Sequence, residues 1–248
     1  MKVTVCELHD EPDRLLQDWD RLVAHVRRER SELVLLPQMP FYPCFTRRRH
    51  FDAAVWNSAT HAHDAWDARL HELAPACVVG SRPMDFGNER YHAAFMWDDQ
   101  EGVRTLHGES VVADEHASCW YLAATPDFVP VEVGRVLLAA VFCSEFTLRG
   151  ELESYAKEGV SLLATPRSVG ARSSACGMEA ACNAAAATGA YELSSNRVCA
   201  GHRIDMGSDA GFSGGGWIID PQGRVRAQTS AERPFVSLEV AERAGAAA

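Results

Sequence analysis

The sequence predicts an α/β domain whose strands and helices alternate around one layered core, and three observations carry that reading. Apolar runs of strand length recur along the chain, several of them stopped by proline or glycine. Stretches with apolar residues at helical spacing lie between these runs. The composition is that of a globular chain, 47% hydrophobic and 23% charged, and 248 residues suffice to bury a large core.

Taken in order, Val3–Leu8 alternates like a strand. Asp10, Glu11, Pro12 and Asp13 then place acidic residues and a proline at a helix start. Leu15, Leu16, Trp19, Leu22, Val23 and Val26 supply one apolar helical face. Leu33–Leu36 is a buried strand halted by Pro37, 53–73 is helical, and Cys77–Ser81 is the next strand. Tyr91–Trp97 and Val103–Leu106 form a strand pair around the 98–102 turn. Val136–Phe142 is a long buried strand, Leu148–Lys157 a helix closed by Gly159, and Val160–Thr165 a strand. The alanine-rich Met178–Thr188 is a helix ending near Gly189. Leu193–Asn196, Gly215–Ile219 and Val225–Gln228 are further strands, the last two joined by a Pro-Gln-Gly turn. No linker, repeat or composition shift divides the chain before its alanine-rich tail, so residues 1–248 are expected to be a single domain.

A net charge of −10 argues against a dedicated nucleic-acid or anionic-membrane binder, which needs basic surface. The Arg47–Arg48–Arg49 run is the one uninterrupted run of three basic residues, a solvated loop or a clamp for an acidic substrate. The eight cysteines form no CxxC pair and fit reduced, mostly buried thiols. The chain starts almost directly on a strand and has no apolar run of membrane-spanning length, so a cytoplasmic location is expected. His61, His63 and His71 lie on one helical stretch without a matching carboxylate or cysteine cluster. They read as a partly exposed helix surface, and no metal is expected.

Chemistry concentrates at 136–146, VLLAAVFCSEF. Cys143 follows a buried strand and precedes a helix-forming stretch, an elbow that exposes a side chain beside unpaired backbone N–H groups. Such groups can lower a thiol pKa and can bind an oxyanion.

ELVLLPQMPFYP at 32–43, GRVLLAAVFCSEF at 134–146, GVSLLATPRS at 159–168, TGAYELSSNRV at 188–198 and GGGWIIDPQGRV at 214–225 occur in a telling order. Together they resemble the carbon–nitrogen hydrolase (nitrilase) superfamily over nearly the whole chain. The resemblance implies a four-layer α-β-β-α sandwich and a homodimer or larger oligomer. It also implies cysteine-dependent chemistry at a carbon–nitrogen bond of a small nitrogenous substrate (an amide, nitrile or carbamoyl compound) with no cofactor. Cys143 stands where the family keeps its nucleophile, and Ser144 supplies the neighbouring backbone N–H.

The family's remaining set is a glutamate base, a lysine and a second glutamate, and here this chain departs. The base position is Gln38, in Leu36-Pro37-Gln38, and the lysine position aligns with Glu109. The second glutamate falls at Ala117, with Glu115 as a nearby substitute. Glutamine cannot take the thiol proton, and an ionised carboxylate cannot stabilise an oxyanion. The expectation is therefore either an enzyme with a rewired acid–base set, Glu109 acting as replacement base, or a catalytically silent binding or assembly protein. A designed glutamine at 38 would read the same way in the sequence. Phe41, Tyr42, Trp120, Arg167 and Ser168 follow the site-bearing blocks and are expected to wall the substrate pocket. His107, two residues before Glu109, is expected to share its side of the strand. Glu145 is expected to be a structural hydrogen-bond acceptor, and Asn196 a strand-ending structural residue.

Overall fold

Residues 1–112, 116–125, 129–198 and 215–241 are described by a computed structural model. The amino-terminal half contains β1 (Lys2–His9), α1 (Pro12–Glu29), β2 (Leu33–Leu35), α2 (Ala53–Asp67), β3 (Cys77–Phe86), β4 (Glu89–Asp98) and β5 (Gly102–Gly108). The remainder contains β6 (Val131–Val133), β7 (Val136–Ala140), α3 (Arg149–Glu158), β8 (Leu162–Pro166), α4 (Ala171–Thr188), β9 (Tyr191–Val198), β10 (Trp217–Ile219), β11 (Val225–Gln228) and β12 (Phe235–Glu239).

These strands pair as two six-stranded halves, β5-β4-β3-β2-β1-β12 and β6-β7-β8-β9-β10-β11. The halves join where Glu7–His9 of β1 run parallel to Asn196–Val198 of β9. Burial divides into three main layers of contact. Val3, Val5, Leu33, Leu35, Val79 and Met96 of one half face Leu138, Leu162, Ala164, Leu193 and Ile218 of the other. Outside the first half, α1 packs Leu15, Trp19, Leu22, Val23 and Val26 against Cys6, Leu8, Val34 and Val78. Outside the second, α3 and α4 pack Leu152, Tyr155, Ala181, Ala184 and Ala185 against Ala139, Val141, Leu163, Trp217 and Ile219. The result is an α-β-β-α sandwich, and each buried Leu or Ile in its middle contributes about 1.5–3 kcal/mol relative to exposure.

Local sequence sets the helix ends. Pro12 occupies the first turn of α1, where its missing N–H costs nothing, and Arg30 closes the helix in the left-handed region (φ 55°). Asp52 caps α2 by accepting from the amides of Ala54 and Val55. Gly189 ends α4 at φ 64°, a conformation glycine adopts without strain.

Several expectations shift. Leu16 belongs to the apolar face by spacing but is 46% exposed on the outer edge of α1. The 53–73 helix breaks after Asp67 into a short 3₁₀ turn at Leu70–Leu73. The strands β6 and β12 were not anticipated, and β12 pairs antiparallel with β1. His63 is buried rather than surface-facing: its Nδ1 lies 2.7 Å from the Ala59 carbonyl oxygen, and burial pushes its pKa down to about 3. Part of the 211–216 glycine stretch, Glu115 and the terminal alanine tail lie outside the described residues. No described helix is long and apolar enough to cross a membrane, and the six described cysteines are free thiols.

Candidate active site

The carboxyl-terminal ends of β2, β7 and β8 converge on one cavity of about 350 Å³. Gln38, Glu109, Ala117, Cys143, Ser144, Arg167 and Ser168 line it, with Arg47, Tyr121 and Phe142. Both halves of the sandwich contribute, and a backbone hydrogen bond from Gln38 N–H to the Arg167 carbonyl (3.1 Å) ties their rims together. Arg197, from β9, holds the loop after Gln38 by donating to the carbonyls of Met39 (3.0 Å) and Tyr42. Asn196 clips the loop after Arg167 through paired bonds with the Val169 backbone, both 3.0 Å.

Cys143 opens a 3₁₀ turn, Cys143–Thr147, directly after β7. The turn is fastened by Glu145, whose carboxylate accepts from the Phe142 amide (2.9 Å), the Ser110 amide (2.8 Å), the Ser110 hydroxyl (2.7 Å) and His107 (2.7 Å). Burial acts against that charge, but the His107 contact and the two amides hold the carboxyl below its ordinary pKa. The first amides of such a turn lack partners within it, which leaves the Cys143 and Ser144 N–H groups beside the sulfur. Burial pushes the Cys143 thiol up to about 11; the Arg167 charge opposes that rise, while Glu192 and Glu109 add to it.

Whereas His107 is bonded to Glu145, Glu109 has partners of its own. It lies just past the end of β5, where strand alternation no longer holds, and its two oxygens face different partners. Oε1 accepts from the Ser144 hydroxyl (2.8 Å), and Oε2 faces His92 Nδ1 (2.8 Å). The other His92 nitrogen lies 2.8 Å from Ser81 Oγ, which accepts from the Met39 amide (3.2 Å). A neutral His92 with its proton on Nδ1 satisfies the whole chain: Ser81 donates to Nε2, and Nδ1–H donates to Glu109. A register slip between Ala94 and Phe95 brings His92 opposite Glu109. Such a bulge leaves no mark in hydrophobic periodicity, so the pair was not legible beforehand.

Phe41 and Trp120 are not in the cavity wall. Phe41 stacks on Trp66 in the α1 core (ring centroids 4.8 Å apart), and Trp120 is buried against Phe45 with its N–H on the Arg48 carbonyl. Tyr42 packs at the edge of that second cluster. Tyr121 takes the wall position instead. Ala117 is buried in the lining and brings no carboxylate there.

Arg167 is 1% exposed, and its guanidinium lies over the Trp217 ring at 3.7 Å from the centroid. Among the described residues none of its three side-chain nitrogens makes a hydrogen bond of ordinary geometry, and the nearest group to take one is the Cys143 thiol. Close by is Glu192, a fully buried carboxyl on β9 that accepts from Ser194 (2.9 Å) and from the Trp217 indole (2.7 Å). Burial raises its pKa to about 7 against the pull of Ser194 and Arg167. Its sequence signal is a carboxylate between the two apolar strand positions Tyr191 and Leu193.

This fold is that of the nitrilase-superfamily amidases. An amidase from Nesterenkonia sp. superposes with a TM-score of 0.80 at 16% identity, over 98% of this chain and 90% of that one. A glutamate-to-glutamine mutant of the amidase from Nesterenkonia sp. AN1, carrying the product of Michael addition of acrylamide at its active-site cysteine, superposes with a TM-score of 0.79. It is 16% identical, over 97% of this chain and 93% of that chain. No family model and no curated protein matches this chain.

Proposed function

We propose that the protein is a cysteine-dependent enzyme acting on a carbon–nitrogen bond of a small amide, nitrile or carbamoyl compound. The observation that carries this is one cavity that brings Cys143, Ser144, Gln38 and Glu109 together. Nesterenkonia amidases of this fold add acrylamide, or the acetamide moiety of fluoroacetamide, at their active-site cysteine, in mutants whose glutamate is replaced by glutamine. That precedent fits a reactive cysteine beside Gln38.

In the reaction read for an amide, Cys143 Sγ attacks the carbonyl carbon, and a proton equivalent to the one the thiol releases is delivered to the leaving nitrogen. The C–N bond breaks, and water then cleaves the thioester to return the thiol. The amides of Cys143 and Ser144 face the developing oxyanion, and Gln38 offers its side-chain amide to the substrate rather than acting as a base. Glu109 reaches the site through the Ser144 hydroxyl, which it orients.

A second reading, a silent binding protein, is favoured by the occupation of both Glu109 oxygens and by the raised thiol pKa. Ammonia release from a panel of amides, nitriles and carbamoyl compounds separates the two. Turnover that Cys143→Ala abolishes is the expected result. Turnover that survives Cys143→Ala rejects Cys143 as the nucleophile, and a panel compound that binds without turnover in the unaltered chain rejects the enzyme reading.

A further inference from the structure

A guanidinium sealed from water is costly unless something nearby carries the balancing charge. Arg167 has no hydrogen-bonded carboxylate, and its buried acidic neighbours are the Cys143 thiol on the cavity side and the Glu192 carboxyl on the sheet side. The Trp217 ring covers one face, and α4 comes so near that a Cβ at Gly177 would lie 3.1 Å from Nη2. Arg167 lines the cavity with Cys143 and lies over the Trp217 ring, whose N–H is bonded to Glu192, so one cation has two acidic neighbours and can balance one anion at a time.

We propose that Arg167 is the cation of this site, stabilising Cys143 as a thiolate, and that Cys143 and Glu192 share one negative charge across it. In the resting form Glu192 is the anion and Cys143 the thiol. In the reactive form the proton lost by Sγ is gained by the Glu192 carboxylate, with no change in net charge and no further reactant. The positive charge expected on the strand leading to Glu109 is thereby replaced by one from the loop after β8. Arg167 and Glu192 are positioning residues here, acting through the sulfur.

The directions of the individual shifts agree. Burial raises both acids, Arg167 pulls each of them down, and each of the two raises the guanidinium against its own burial. Among the described residues the other charged or titratable groups facing the cluster are Glu109 on the cavity side of the thiol, Arg47 in the cavity wall, and Cys182 of α4 near Glu192. They stay unchanged in the variants below.

The proposal rests on Cys143 being the reactive residue of the cavity, and its test is independent of turnover. The rate of iodoacetamide alkylation at Cys143, resolved by peptide mass spectrometry, is followed against pH in the full chain. Glu192→Gln removes the competing charge while leaving groups for Ser194 and Trp217 to bond. Its alkylation midpoint should fall by about one pH unit, speeding the reaction near neutrality about tenfold. Arg167→Met should raise the midpoint and slow alkylation about tenfold. A Glu192→Gln profile that overlays the unaltered one, or moves upward, overturns the proposal even if Arg167→Met fails to fold. Ammonia release persisting alongside an unmoved profile would retain the enzyme reading and discard the shared charge. A moved profile without turnover would do the reverse.

Discussion

Glu109 is held from two sides, and that decides what can replace it. A lysine there would place an ammonium against His92 Nδ1 and leave Ser144 without its acceptor, so this wall of the cavity does not suit one. Glu109→Lys should cost roughly 2–3 kcal/mol in urea unfolding, the scale of leaving the buried His92 and Ser144 donors without their charged acceptor. An unchanged midpoint would mean the His92–Glu109 contact carries little. Cys143, Gln38 and Glu109 could be singled out in the sequence because they occupy fixed places in a recurring order of blocks, and the fold brings all three to one cavity. His92 and Glu192 could not be, since their roles depend on which residues face each other across strands and sheets. Phe41 and Trp120 failed for a related reason: an aromatic after a strand can turn to a core as readily as to a cavity, and here the α1 and Trp56 clusters claimed them.

At the level of elements, strong periodicity translated well and short edges did not. The apolar stripe of α1 and the buried runs of β2, β7 and β8 formed as their spacing requires. The strand β6 has three residues, too few for alternation to register, and β12 depends on pairing with β1 from the opposite end of the chain. Helix α4 couples an element to the site through Gly177. Alanine there should favour the helix by about 1 kcal/mol. The added Cβ at 3.1 Å, however, requires Arg167 Nη2 to move by a few tenths of an ångström. We expect Gly177→Ala to leave thermal stability within about 1 kcal/mol of the parent, the two effects offsetting, while shifting the pH profile of Cys143 alkylation. A shift in stability with an unaltered profile would show that Arg167 adjusts without consequence for the thiol.

For the whole molecule, two buried groups set opposing dependences of stability on pH. Glu192 keeps its proton to about pH 7 when folded but loses it near 4.5 when unfolded. The folded chain therefore holds more protons in that window, and stability falls as pH rises through it, by about 3 kcal/mol in all. His63 does the reverse. It is neutral above about pH 3 when folded but takes a proton below 6.5 when unfolded, so stability rises with pH between those values. Where the windows overlap the slopes oppose. Removing one partner should expose the other, so Glu192→Gln should grow more stable than the parent as pH rises from about 4.5 to 7. A constant difference between the two proteins across that range, in urea unfolding at each pH, would contradict it.

The hydrogen bond from Gln38 N–H to the Arg167 carbonyl has a meaning for assembly as well as for geometry. Gln38 and Glu109 arrive on one half of the chain and Cys143 and Arg167 on the other, so neither half contains a site. Two fragments cut between residues 112 and 129 would carry complementary walls of one vessel, and their union would be reported by the return of parent-like reactivity at a single sulfur.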